Sequence, residues 1–291
     1  MDRGRNLDAG NTALITDTGS DVPADWRPDN LRVVEIAVNF GQEPFDQSQG
    51  IGAFYQRLAE SEVVPTTAQP SAGELEQEFR AALDDFEHAI VLHIPGKLSG
   101  TVTAAREAAR AIGDERLAVF DCSSVSAGLT LLVKRVQQRL ERGATFGEVE
   151  SFIAHFNAGQ HTVFTLDTLE FLRRGGRIGK AQALAGSLLK VRPILEVADG
   201  EVSPVGRVRG EGKLFSAIRD YVEEHSESGR PLRVVYAHAR RAEAIDDLRL
   251  AVESARPAAV TEGIVEIGPV IGTHGGPGTL GAAFFHDPLD A

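Results

Sequence analysis

Ser99 stands in the run Gly96-Lys97-Leu98-Ser99-Gly100-Thr101, ahead of helix-like periodicity. Backbone amides in such a loop, and the N-terminus of the helix after it, favour an anion. Ser99 can equally serve as that helix's cap. A nucleophile elbow needs Gly-x-Ser-x-Gly; here the serine is one residue out of register, which argues against a serine hydrolase. His274 lies among glycines in Gly272–Gly278, a setting that reads as a loop exposed at a cleft, although a lone histidine is more often a satisfied structural residue. The eight histidines show no His-Glu-x-x-His or comparable pairing, so no zinc site is expected. Thr66 and Thr67, between Pro65 and Pro70, offer two hydroxyls to an acceptor, or an ordinary Pro-Thr turn. Arg177 and Arg209 carry guanidinium groups that match carboxylate or phosphate bidentately; Arg173, Arg174 and Arg207 read as a solvated face. Asp17, Thr18 and Ser20 crowd the end of a first strand, which suits a site loop, a turn or a cap alike. Gly175–Lys180 lacks the spacing of a phosphate-binding Walker loop and no second nucleotide motif accompanies it, so the chain does not read as an ATP-using enzyme by itself.

These residues need elements to position them. Strands are expected at Ala13–Ile15, Leu31–Phe40, Ala89–Ile94 and Leu117–Phe120, and helices at Ile51–Glu60, Gly73–Leu83, Thr101–Ile112, Val125–Arg142 and Phe146–Phe156. Ser71 and Glu74 form a capping box for the second helix, and Pro65–Pro70 reads as an extended loop. This alternation implies a parallel α/β sheet. A composition change around Asn157–His161 marks the expected boundary. The expected organisation is a flexible tail (residues 1–11), an N-terminal α/β domain (12–158) and a C-terminal α/β domain (159–291). In the second half Thr162–Leu166 is a strand, Asp167 is a candidate N-cap for a short helix, and Gly175-Gly176 fits that helix's end because one residue there needs positive φ. Lys180–Lys190 is amphipathic. Asp199-Gly200 between Pro193–Ala198 and Glu201–Arg209 is a strong hairpin signal. Helices Leu214–Glu224 and Ala242–Ser254 alternate with strands Leu232–Ala237 and Val260–Val265, and a Gly-rich loop at 272–281 precedes the apolar run Ala282–Phe285. The second sheet should therefore be mixed.

Composition narrows the function classes. A net charge of −12 argues against a general nucleic-acid or anionic-membrane surface. The single Cys122 excludes an internal disulfide and a cysteine metal cluster. No apolar run approaches the roughly 18–20 residues of a membrane span, and the first residues lack the apolar segment of a signal peptide. A cytoplasmic protein is expected.

Five segments in order, spread over residues 12–286, resemble the DegV family, the fatty-acid-binding proteins that include the FakB subunit of bacterial fatty acid kinase. They are Thr16–Asp21 (TDTGSD), Pro65–Pro70 (PTTAQP), Leu98–Thr101 (LSGT), the stretch from Leu166 to Gly210, and Gly272–Leu280 (GTHGGPGTL). In the fourth, the likeness lies in Leu166–Glu170, Gly175–Lys180, Leu188–Leu195 and Asp199–Gly210. The chain departs from the family pattern at Pro95-Gly96-Lys97 and at Cys122, where small hydroxyl residues are more common.

The resemblance implies two α/β domains with a lipid site at and below their interface. A long-chain fatty acid would lie in an apolar tunnel. Thr66, Thr67, Ser99 and His274 would hold its carboxylate, Arg177 and Arg209 would stand near the entrance to dock a kinase or steady a phosphoryl group, and Asp17, Thr18 and Ser20 would form a loop nearby. No cofactor is implied. The partner would be a separate ATP-dependent fatty acid kinase subunit, with transient membrane contact, and the chain itself a monomeric, non-catalytic substrate carrier in phospholipid metabolism. Two other readings stay open: a stand-alone lipid buffer or regulator, and a lipid acylhydrolase using Ser99, His274 and Asp17.

Overall fold

The computed structural model describes residues 1–184 and 191–290. The first half runs β1 (Asn6–Leu7), β2 (Thr12–Asp17), β3 (Leu31–Val34), β4 (Ala37–Phe40), β5 (Glu43–Pro44), α1 (Gly50–Glu60), β6 (Pro65–Ala68), α2 (Ala72–Asp85), β7 (His88–His93), α3 (Thr101–Ile112), β8 (Leu117–Asp121), α4 (Ala127–Arg142), β9 (Ala144–Thr145) and α5 (Phe146–Gly159). The second runs β10 (His161–Thr165), α6 (Glu170–Arg174), β11 (Arg192–Ala198), β12 (Glu201–Val208), α7 (Glu211–Glu224), β13 (Leu232–His238), α8 (Ile245–Ala255), β14 (Ala259–Glu266), α9 (Pro269–Gly275) and β15 (Leu280–Phe285).

The mixed α/β architecture expected from the sequence is present. β2 and β7 are buried along their whole length, as strands covered on both faces must be. They form the centre of an all-parallel sheet ordered β3-β2-β7-β8. The second sheet is ordered β12-β11-β10-β15-β13-β14 and is mixed, with only β13 and β14 parallel. Its hairpin turns at Asp199 (φ 50) and Gly200 (φ 71), the left-handed pair that matches strand twist.

Several expectations are corrected. Leu31–Phe40 is not one strand: β3 joins the parallel sheet, and β4 leaves it to pair with β5 and β6. Both pieces are apolar and β-branched, so nothing local marks the change of sheet. Pro65–Ala68 is extended but is a paired strand rather than a loop. Residues 1–11 include β1, which pairs with β9, and Leu7 is only 1 % exposed. The Gly-rich loop at 272–281 begins inside a helix, α9, which starts with Pro269 in its first turn, where proline's fixed φ and missing N–H are tolerated. Asp167 does not cap α6: Glu170 N–H bonds Thr168 Oγ1 (3.1 Å) and Asp167 pairs with Arg192. Of the amphipathic piece Lys180–Lys190 and the segment Leu188–Leu195, residues 185–190 lie outside the described residues.

The largest core joins the two sheets. Leu14 and Ile90 of the parallel sheet share it with Leu132 and Phe156 of α4 and α5, and with Val235 and Phe285 of the mixed sheet. Phe156 and Phe285 have ring centroids 4.8 Å apart. Helices that precede the composition change at 157–161 thus pack on the sheet that follows it.

Candidate functional site

Strand alternation separates the two threonines. Neighbouring residues on β6 point to opposite faces; Thr67 turns inward and lines a cavity, whereas Thr66 is exposed and does not. Thr67 Oγ1 lies 3.0 Å from His274 Nε2 in the last turn of α9. The imidazole seats against the turn after α6, where a Cβ on Gly175 would come within 2.2 Å of His274 Nδ1. That turn is closed by Gly176 (φ 68), with Arg177 N–H on Leu172 O (3.0 Å) and Gly176 N–H on Arg173 O (3.2 Å). This is the paired 6→1 and 5→2 ending that a glycine permits. It sends Arg177 across to the Ser99 loop, where Nε donates to Leu98 O (3.0 Å) and Nη1 to Gly175 O (2.6 Å). Ser99 precedes α3, with its Oγ 2.8 Å from Thr101 Oγ1 and accepting Thr101 N–H at 3.3 Å. Ser99 thus holds the start of α3 and also lines the cavity.

Thr67, Ser99, Arg177 and His274 therefore line one cavity that opens to solvent. Its remaining walls are chiefly apolar: Val163, Phe164 and Leu166 at β10, Val197 and Val202 from the hairpin, and Val270 and Ile271 from α9. Burial, and then the nearby Arg177 guanidinium, lower the His274 pKa from 6.5 to about 4. The imidazole is neutral at pH 7, and the positive charge at this end belongs to Arg177. His274 Nδ1 is buried with no hydrogen-bond partner among the described residues, which is costly unless something else supplies one. Such an end can receive a carboxylate, with hydroxyls and an imidazole to bond it and a guanidinium to balance its charge.

The other sequence candidates lie elsewhere. Arg209 is exposed with Arg207, beside Lys213 and Val191 in a separate groove. Arg173 and Arg174 are exposed and both pair with Glu170. Asp17 is fully buried and accepts from Gly19 N (2.8 Å) and Ile94 N (3.1 Å), with His93 Nδ1 2.9 Å away. Thr18 Oγ1 accepts Ile36 N–H (3.0 Å), and Ser20 Oγ donates to Asp17 O (2.7 Å). None of the three lines the cavity; their bonds shape the loop behind Ile94, which does. Asp17 pairs with His93 rather than His274, so the Ser99, His274 and Asp17 relay of an acylhydrolase is not assembled. Cys122 is buried, and burial pushes its thiol pKa well up. Among the described residues, no group of three or more His, Cys, Asp or Glu is placed to hold a metal ion, and no helix is long and apolar enough to cross a membrane. The sequence reading missed the cavity-lining Ser126 and Thr162, and Asp21, whose carboxylate receives the Ser126 hydroxyl (2.6 Å). Asp21 closed the TDTGSD run, but nothing in the sequence pointed to its partner 105 residues away.

Two sheets packed through a shared core, with a partly open, chiefly apolar cavity lined in part by Thr67, Ser99, Arg177 and His274, make a mixed α/β protein. Residues 11–287 match the family model described as "Uncharacterised protein, DegV family". A fatty acid-binding protein of Thermotoga maritima is 31 % identical over 280 residues, covering 92 % of this chain and 95 % of that protein. A DegV family protein from Thermus thermophilus, whose structure is described as fatty acid binding, superposes with a TM-score of 0.86 at 35 % identity, covering 95 % of this chain and 99 % of that one. A T. maritima structure, described as revealing fatty acid binding function, gives a TM-score of 0.84 at 28 % identity, covering 95 % and 99 %. The chain belongs to the DegV family.

Proposed function

We propose that the protein binds one long-chain fatty acid in this cavity, its carboxylate held by Thr67, Ser99, Arg177 and His274, and presents it to a separate ATP-dependent kinase that forms the acyl-phosphate. The observation that carries the reading is a chiefly apolar cavity lined by Arg177 and by a buried imidazole, one nitrogen of which has no hydrogen-bond partner among the described residues. Burying a sixteen-carbon chain contributes about 0.8 kcal/mol per methylene, roughly 10 kcal/mol before ordering costs. The carboxylate follows only because partners replace its water, each charge-assisted bond contributing about 1.5–3 kcal/mol. The family relatives described as fatty acid-binding support the ligand class. In this scheme the exposed Arg209 contributes to kinase docking, while the acid itself never leaves the carrier until it is phosphorylated.

Organic extraction of the purified protein followed by mass spectrometry, with titration by C14–C18 acids, tests the ligand. A single acid bound about one-to-one is expected, and no lipid by either route would sink the reading. Adding kinase and ATP to the loaded protein should yield acyl-phosphate. Binding without phosphorylation by any fatty acid kinase would leave a lipid buffer or regulator instead.

A further inference from the structure

Away from the Thr67–His274 end, the cavity wall carries a second polar position. Ser126 lines the cavity with φ 48 and ψ −124, a conformation that a non-glycine residue keeps only where its surroundings over-determine it. Its N–H bonds Gly19 O (2.7 Å) and its hydroxyl donates to Asp21 Oδ2 (2.6 Å). Asp21 also sits at positive φ (54), and its other oxygen accepts Gly268 N–H at 2.9 Å. The residue as a whole keeps some exposure, but loss of solvent around its carboxyl group raises the pKa from 3.8 to about 7. Close by, the first turn of α4 lies against Thr162. A Cβ on Gly128 would stand 2.8 Å from Thr162 Oγ1, and that hydroxyl, which also lines the cavity, donates to Gln160 Oε1 (3.0 Å). With its proton on Gln160, Thr162 Oγ1 accepts the Ser124 hydroxyl (3.1 Å) and keeps one further acceptor site, while the Ser126 proton is committed to Asp21 and its oxygen keeps acceptor capacity.

Helix α9 sets the spacing between Gly268, which bonds Asp21, and His274. Gly268 immediately precedes α9, and His274 lies in its last turn. Six residues of helix at about 1.5 Å each separate them by about 9 Å. An extended hydrocarbon with bonds of about 1.5 Å advances roughly 1.25 Å per carbon, so 9 Å corresponds to about seven carbons.

We infer that Ser126 and Thr162 form a second recognition point in the cavity, for a hydroxyl group carried near the middle of an acyl chain, at about carbons 8–10 counted from the carboxylate. This rests on the fatty-acid reading above and deepens it. A plain chain sets methylenes against the Ser126 oxygen and leaves its acceptor capacity unused. A mid-chain hydroxyl donates to it. The same hydroxyl placed where the wall is apolar has no partner, and burying an unpaired hydroxyl is unfavourable. All positional isomers lose the same hydration on entry, so differences among them report the pairing alone.

The test is a set of monohydroxyoctadecanoic acids that differ in hydroxyl position, titrated beside unsubstituted octadecanoic acid. The isomers substituted at about carbons 8–10 should bind about tenfold more tightly than those substituted four or more carbons further along the chain. In Ser126→Ala that preference should fall below about twofold. Thr162→Val supplies an independent variant should the first fail to fold, and should reduce the preference in the same direction. A flat positional profile in the unaltered protein, or an unchanged peak in both variants, would overturn the inference while leaving fatty-acid binding intact. Failure of every acid to bind, the unsubstituted one included, would remove the underlying reading as well.

Discussion

The loop at 16–21 and the cavity end around His274 are equally rich in hydroxyls and ionisable groups, yet the fold uses them in opposite ways. In the first, the Asp17 carboxylate meets Gly19, Ile94 and His93, and the Ser20 hydroxyl meets Asp17 O. Thr16 Oγ1 and His93 Nε2 have no hydrogen-bond partner among the described residues, but neither residue lines the cavity. In the second, Thr67 and His274 bond each other, His274 Nδ1 has no hydrogen-bond partner among the described residues, and Arg177 lines the same cavity. Density of reactive residue types does not separate scaffold from site. Unused bonding capacity beside a space large enough for a ligand does.

The comparison breaks most visibly at Asp17. Asp17→Ala leaves three buried donors without their acceptor, each costing about 1–3 kcal/mol, so denaturant unfolding should show a loss of roughly 3 kcal/mol or more. A stability change below about 1 kcal/mol would return this loop to the list of candidate ligand contacts.

The pH dependence of stability sharpens the contrast through two other groups. His274 has a folded pKa near 4 against 6.5 unfolded, so between those values the unfolded state holds the extra proton and stability falls as pH falls. Asp21 has a folded pKa near 7 against 3.8, so the folded state holds the extra proton and stability falls as pH rises across that window. The slopes oppose each other. His274→Ala should therefore tilt the curve toward greater stability at pH 4.5 than at pH 6.5, and Asp21→Asn should tilt it the other way. Identical slopes in both variants and the unaltered protein would mean that neither group is desolvated in the folded state.

The arginines and threonines give smaller effects. Arg177→Ala removes the positive charge from the cavity end and should weaken fatty-acid binding about tenfold. Arg209→Ala and Thr66→Ala alter exposed positions away from the cavity and should change it less than about twofold. Equal losses for Arg177 and Arg209 would reunite the two arginines in one site.

Much of the fold was legible because short-range chemistry reports on it. The Ser71–Glu74 capping box, the Gly175-Gly176 helix ending and the Asp199-Gly200 turn each appear where the residues indicated. The Thr145–Glu148 capping box was equally readable and marks the start of α5. The break between β3 and β4 was not, since both strands share one composition. Glycines around His274 suggested a loop, whereas α9, starting at Pro269, runs through Gly275. At the site, residue chemistry nominated Thr67, Ser99, Arg177 and His274 one by one, and only the family resemblance combined them into a single site. The facts that group them arise in three dimensions: strand alternation turns Thr66 away, the α6 turn carries Arg177 to Leu98, and Ser126 reaches Asp21 across 105 residues.

The proposed function requires the His274 end of the cavity to recognise a carboxylate and the rest to recognise a chain. Titrating a long-chain acid and its methyl ester into the unaltered protein and into His274→Ala measures this directly. The acid should bind about 10–100-fold more tightly than the ester in the unaltered protein, the range of one or more charge-assisted bonds, and the variant should lose most of that margin while still binding the ester. Equal weakening of acid and ester in the variant would contradict the claim and make His274 a wall of the cavity rather than its carboxylate contact.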